Sequence, residues 1–353
     1  MPEPDNPSSL PPKFFEWLGH IVGRDVAPSH LTWVAGDASP RRYLRLNSLP
    51  KSVGASSLIA VISPPSEKNE AFLSVGELLA GAEVRVPAVV AADAALGFFL
   101  LEDFGDSVLL DALSEGGDAK WYPKALAAIG KMAVIHPPKA RLPLYDDRLL
   151  TQEMMLFPEW FLRRLMNFSE REIADAPLEA TFSMLAENAL NQPQVCVHRD
   201  FHSRNLMCLP DGDLGVIDFQ DAVIGPVTYD YVSLLKDCYV VWPRDMQLRW
   251  LASALEMLRD RADLDAVSFE TFVTWFDLMG LQRHIKVLGI FARLYLRDAK
   301  PQYLNDLPVV LQYVSEALSV LREREPQLAL FADWFDHAVM PEVRQQAWYR
   351  TPQ

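Results

Sequence analysis

The sequence predicts an α+β chain of two lobes, a small five-stranded antiparallel sheet lobe followed by a larger, mainly helical one. Three observations predict it. The chain has 353 residues, more than one ordinary domain needs. Strand and turn signals crowd residues 31–106. Beyond them, apolar residues recur at helical spacing, broken mainly by prolines.

The elements run in order along the chain. Residues 1–12 are rich in Pro, Ser and Asn and read as a loose leader. FFEWLGHIV (14–22) is a short apolar helix. LTWVAGDASPRRYLRLNS (31–48) is strand, tight turn, strand, and SSLIAVISPP (56–65) is a third strand ended by Pro64 and Pro65. EKNEAFLSVGELLA (67–80) is a helix with Phe72, Val75 and Leu79 on one face. VPAVVAADAALGFFLLEDFGD (86–106) supplies two more strands. The expected division is therefore a leader at 1–12, a sheet lobe at 13–101, a hinge at 102–106 and a helical lobe at 107–353. In that last lobe WYPKALAAIGKMAVIH (121–136) is amphipathic, and later helices break at Pro243, Pro301 and Pro308.

Composition limits the function. About half the residues are apolar and the formal net charge is -14, from 47 acidic and 33 basic residues. So acidic a chain lacks the basic footprint of a nucleic-acid binder and is repelled by anionic membranes. A phosphorylated ligand would need local help from a divalent cation or a few arginines. The three cysteines, Cys196, Cys208 and Cys238, show no zinc spacing and read as core residues of a reducing compartment. No secretory signal or bilayer-length apolar stretch is evident. We expect a cytoplasmic, monomeric protein with a small-molecule partner and neither nucleic acid nor membrane.

The chemistry concentrates in VCVHRDFHSRNLMCLPDGDLGVIDFQDA (195–222). VCV is a short buried strand that delivers His198, Arg199 and Asp200 into a loop. Asn205 comes five residues after Asp200, and a hairpin through PDGD returns the chain to Asp218. Two carboxylates and an amide make a hard-oxygen set suited to magnesium. Phosphoryl transfer asks the protein for positioning, charge neutralisation and a carboxylate to orient the attacking hydroxyl. The spacing H-R-D-x-x-x-x-N is the kinase catalytic-loop pattern, and I-D-F-Q stands where D-F-G would be.

HRDFHSRN together with VIDFQDAVIGPVTYD resembles the aminoglycoside-phosphotransferase and choline-kinase superfamily, whose fold is protein-kinase-like. GDASPRRYLRL, the VVWP ending and LQRHIKVLGIFARL extend the resemblance over nearly the whole chain, toward the bacterial kinases of N-acetylmuramate and N-acetylglucosamine that act at C1 in cell-wall sugar recycling. The resemblance implies ATP and Mg2+ as cofactors. It implies Asp200 as the catalytic or hydroxyl-orienting group, Asn205 and Asp218 as metal ligands, and Asp230 as a brace for the loop. The LLEDFG backbone would receive adenine, at Glu102, Asp103 and Phe104.

Other positions carry weaker signals. The turn AGDASPRR offers Gly36, Ser39, Arg41 and Arg42 to phosphate, against the reading of an ordinary hairpin turn. The third strand has no lysine where kinases place one, so Arg41 or Arg42 is expected to take over. His202 and Arg204 face either the substrate or the loop's own backbone, and His198 reads as a structural histidine. Asp221 reaches the metal or sugar, or caps the next element of the chain. Asp237, Tyr239 and Trp242 suit a sugar ring or, preferably, packed core. Arg283 and His284 are read in the same way. An aminoglycoside or choline kinase, or a noncatalytic nucleotide-binding module, stands as the alternative function.

Overall fold

The protein is described by a computed structural model, which covers residues 9–34, 40–50, 54–135, 141–259 and 264–350. The strands in chain order are β1 (Leu31–Trp33), β2 (Arg42–Asn47), β3 (Ser57–Ile62), β4 (Val89–Asp93), β5 (Phe98–Glu102), β6 (Gln194–Val197), β7 (Leu206–Cys208), β8 (Leu214–Val216) and β9 (Val223–Pro226). The helices begin with α1 (Pro12–Val22), α2 (Asn69–Gly81), α3 (Leu109–Ser114), α4 (Asp118–Ala133), α5 (Asp147–Met154), α6 (Glu170–Ala174) and α7 (Leu178–Asn191). They continue with α8 (Tyr229–Leu235), α9 (Arg244–Leu258), α10 (Phe269–Leu296), α11 (Leu307–Arg324), α12 (Ala329–Trp334) and α13 (Met340–Arg344).

By its contacts the chain divides into two units, one of Met1–Leu109 with Leu206–Asp221, the other of Leu110–Asn205 with Ala222–Gln353. Segment 206–221, which the sequence boundaries run together with 107–353, thus groups with the sheet.

In the first unit the five strands form one antiparallel sheet in the order β1-β2-β3-β5-β4. Strand side chains alternate between faces, so Leu44, Leu46, Leu58, Ala60, Ile62, Phe98 and Leu100 share one face. The α1 residues Phe14, Leu18 and Val22, four apart and so on one stripe, pack into that cluster. Each such side chain contributes about 1.5–3 kcal/mol on burial. Pro12 opens α1, and Gly23 closes it at φ 71°, donating back to Gly19 O.

The opposite face receives α2. Its Phe72 meets Phe99 of β5 edge-on at 5.5 Å and stacks on Phe219 at 5.1 Å. Because Phe98, Phe99, Leu100 and Leu101 are all buried, β5 shows no polar alternation, as expected for a strand covered on both faces. The β7–β8 hairpin pairs Leu206 with Val216 and Cys208 with Leu214.

The second unit is helical around one small ribbon, in which β6 pairs antiparallel with β9. Pro243 precedes α9 and Pro301 opens a 3-10 turn. Pro308, by contrast, lies in the first turn of α11, where its missing N–H costs nothing, so it starts a helix and breaks none. The 28-residue α10 is buried on nearly all sides, polar residues included. Among the described residues no helix is long and apolar enough to cross a membrane.

Candidate active site

The second unit builds the loop 198–205. β6 ends at Val197, and Arg199 then adopts φ 78°, a left-handed conformation that a side-chain-bearing residue holds only when its surroundings impose it. Asp230 imposes it. Its buried carboxylate accepts the backbone N–H of His198 at 2.7 Å and of Arg199 at 3.0 Å. Burial pushes Asp230 up to about 6, net of the donors that favour its charged form. His198 is buried, and its Nδ1 accepts the Asp200 N–H at 3.3 Å. Asn205 Nδ2 donates to Asp200 O at 3.0 Å, which leaves the amide oxygen for another partner. Ser203 N–H is taken by buried Asp237 at 2.8 Å, and Asp237 also accepts Tyr239 N–H at 3.0 Å.

Asp200 keeps 45% of its side-chain surface exposed, yet cations surround its inner side. Arg283 Nη1 of α10 lies 3.9 Å from Asp200 Oδ1 and donates to Arg199 O at 2.9 Å and to Tyr229 OH at 3.3 Å. One turn on, Lys286 Nζ meets Tyr229 OH and Glu153 Oε2, each at 3.0 Å. Glu153 also binds Arg199 and the Tyr145 hydroxyl. Burial alone would raise the Asp200 carboxyl, but Lys286, Arg283, His202 and Arg199 hold it well below the ordinary carboxylate range. The loop therefore presents an ionised carboxylate on a braced backbone. The sequence reading missed Glu153, Tyr229 and Lys286 and favoured plain core for Arg283. The available signal was two cations inside the apolar run LQRHIKVLGIF, since fully buried charges require partners.

The first unit holds the remaining candidates. Asp218 lies two residues beyond β8 at φ 65°, exposed, and its Oδ1 accepts Gln220 Nε2 at 2.8 Å. The neighbouring Phe219 is buried against α2, where its ring passes 3.3 Å from where a Cβ on Gly76 would stand. Arg41 is buried, with Nε donating to Ser63 Oγ at 3.1 Å and its guanidinium 5.4 Å from the Phe72 ring. Arg42, on the other face, is exposed. Tyr43 is raised by burial and feels both the Arg41 cation and the Asp218 carboxylate, so these two candidates act on one neighbourhood. Asp221 pairs with Lys68 at 2.6 Å.

Glu102 and Asp103 commit their carboxylates to the protein. Glu102 accepts Arg85 Nη1 at 2.7 Å, while Asp103 accepts Arg45 Nε at 2.5 Å and Ser57 Oγ at 2.7 Å. Phe104 is buried beside Met207 and Leu209. Any nucleotide contact from 102–104 is thus left to the backbone. Gly36 and Ser39 lie outside the described residues.

The sequence profile of the phosphotransferase enzyme family matches residues 30–268. The chain belongs to that family. It is a small-molecule kinase and uses a nucleotide, as the family's chemistry requires. Two phosphotransferases similar to it are each named N-acetylmuramate/N-acetylglucosamine kinase. The one from Pseudomonas putida is 40% identical over 305 residues, covering 86% of this chain and 87% of its own. The one from Pseudomonas aeruginosa is 39% identical over 310 residues, with the same shares of the two chains. Aminoglycoside phosphotransferase APH(2'')-Ib, solved with ADP bound, shares the fold at TM-score 0.58 and 14% identity, over 87% of this chain and 99% of its own.

Proposed function

We propose that the chain transfers the γ-phosphoryl group of ATP to the anomeric hydroxyl of N-acetylmuramate or N-acetylglucosamine, a step of cell-wall sugar recycling in the cytoplasm. One observation carries the reading. The braced loop 198–205 presents Asp200 as a half-exposed, ionised carboxylate backed by Arg283 and Lys286. The names of relatives near 40% identity supply the acceptor.

A carboxylate held this far into its charged form is a weak base and a good hydrogen-bond acceptor. Asp200 orients the hydroxyl and receives its proton as charge leaves the attacking oxygen. An anomeric hydroxyl suits such a group because it is more acidic than an ordinary alcohol. The loop's braces hold Asp200 to one geometry, which is where positioning catalysis gains its rate. Buried Arg41 is the candidate for the cation that the third strand lacks, and exposed Arg42 remains available to phosphate oxygens.

Asn205, with its amide oxygen, and Asp218, with its exposed carboxylate, are each a hard ligand of the kind that would hold magnesium. When bound, the ion would neutralise charge on the phosphate oxygens.

The test is ADP release with Mg·ATP and N-acetylmuramate, N-acetylglucosamine, kanamycin or choline, for wild type and Asp200→Ala. Turnover on the amino sugars that falls at least about 1000-fold in the variant supports the reading. Turnover on kanamycin or choline alone transfers the assignment to that alcohol. Silence on every acceptor, with ATP still bound, leaves a noncatalytic nucleotide-binding module.

A further inference from the structure

The 3-10 turn Ser203–Asn205 carries a guanidinium whose charge no acid among the described residues neutralises in an ion pair. Arg204 is half-buried, with Cζ 3.6 Å from the centroid of the Tyr239 ring. A guanidinium seated on an aromatic face is held in place while its N–H edge stays open to a planar acceptor. Two acids stand in the same neighbourhood, and neither uses that edge. Asp237 accepts the backbone N–H groups of Ser203 and Tyr239. Half-buried Asp306 feels the charge of Arg204 without approaching to ion-pair distance, and burial holds it above the ordinary carboxylate range.

A second unmet group adjoins the first. His202, two residues after Asp200, meets the same Tyr239 ring edge-on at 5.4 Å. Its Nδ1 is buried and has no hydrogen-bond partner among the described residues. Burial also holds the ring below its ordinary value, which disfavours its charged form. One aromatic ring thus supports an unmatched cation and an unmatched ring nitrogen, both on the loop that carries Asp200.

We propose that Arg204, seated on Tyr239, binds a carboxylate on the acceptor sugar and so sets the preference for N-acetylmuramate over N-acetylglucosamine. The proposal rests on the acceptor class given above. The two sugars differ by a lactyl ether at C3, whose carboxylate is the one full charge that distinguishes them. A planar carboxylate matches the two-donor edge of a guanidinium. Charge matching also favours it over a phosphate chain. The negative charges of Asp237 and Asp306 in the same neighbourhood repel a multiply charged phosphate chain more than a singly charged carboxylate.

Steady-state kinetics at saturating Mg·ATP test this with both sugars on wild type, Arg204→Gln and Arg204→Lys. In Arg204→Gln the ratio of kcat/KM for N-acetylmuramate over N-acetylglucosamine falls about 10- to 100-fold, mainly through KM, and Arg204→Lys recovers part of it. An equal loss on both sugars overturns the proposal and makes Arg204 a group for phosphoryl transfer or loop structure. The lactyl methyl ester of N-acetylmuramate, given to wild type, removes the charge from the ligand and needs no folded variant. It should lose the preference by a similar factor, and an ester turned over as well as the acid overturns the proposal independently. If wild type phosphorylates neither sugar, the acceptor assignment itself fails and takes this proposal with it.

Discussion

Arg283 Nη1 donates to the carbonyl of Arg199 at 2.9 Å and lies 3.9 Å from Asp200 Oδ1, so one α10 side chain supports both the bend of the loop and the charge of its carboxylate. Arg283→Met should lower kcat about 10- to 100-fold while leaving the KM for ATP within about threefold, because it disturbs Asp200 and not nucleotide binding. Arg283→Lys should recover only part of kcat, since its shorter stem keeps the charge but cannot bring a nitrogen to the position that Nη1 holds between the carbonyl and the carboxylate. A kcat for Arg283→Met equal to wild type would make this residue simple packing.

Among the described residues Glu153 is the acid paired with Lys286, and it pairs with Arg199 as well. Glu153→Gln removes the carboxylate that Lys286 and Arg199 share and should cost about 3–5 kcal/mol in a urea titration at pH 7. Burial opposes the charged form of Glu153, but Lys286 and Arg199 hold its carboxyl below the ordinary value of 4.5. Its stabilisation is therefore present above pH 4.5 and is lost as pH falls through the lower folded value. The gap between wild type and Glu153→Gln should narrow as the titration is repeated toward acid. A gap that stays constant down to about pH 3 would refute the pairing.

Asp230 behaves with the opposite sign. Its folded value of about 6 exceeds the ordinary 3.8, so the native state keeps its proton longer than the unfolded chain does. The stability it adds is fully present below the ordinary value and is lost as pH rises through about 6. The amount is on the order of 3 kcal/mol across that window. Asp230→Asn cannot titrate, so the wild-type-minus-variant difference in unfolding free energy should fall from about pH 4 to about pH 7. Parallel curves over that range would show that Asp230 titrates normally.

Gly215 on β8 gives its space to Phe104, whose ring would stand 2.5 Å from an added Cβ. Gly215→Ala forces that ring to move and should cost about 1–3 kcal/mol of stability. Because Phe104 carries part of the expected adenine segment, the KM for ATP should rise more than the KM for sugar. Equal changes in the two constants would argue against a nucleotide role for 102–104.

Much of this molecule could be read locally. Strands of the sheet and the helices α1 and α2 show their periods in consecutive residues, and a strand or helix face is a local property. The loop 198–205 was recognisable because its chemistry lies at fixed short spacing, and Asp230 because a motif carried it. β9 was less visible, since VIGP shows no alternation and its Gly-Pro reads as a turn, and it is a strand only because β6 lies beside it.

The sequence by itself nominated the residues for the chemistry, because Asp200, Asn205 and Asp218 stand in one short segment whose spacing can be read before any folding. Only tertiary structure decided how Asp200 is charged and held. Glu153 meets Arg199 across 46 residues and Arg283 meets it across 84, and pairings that distant arise from packing, leaving no spacing to read.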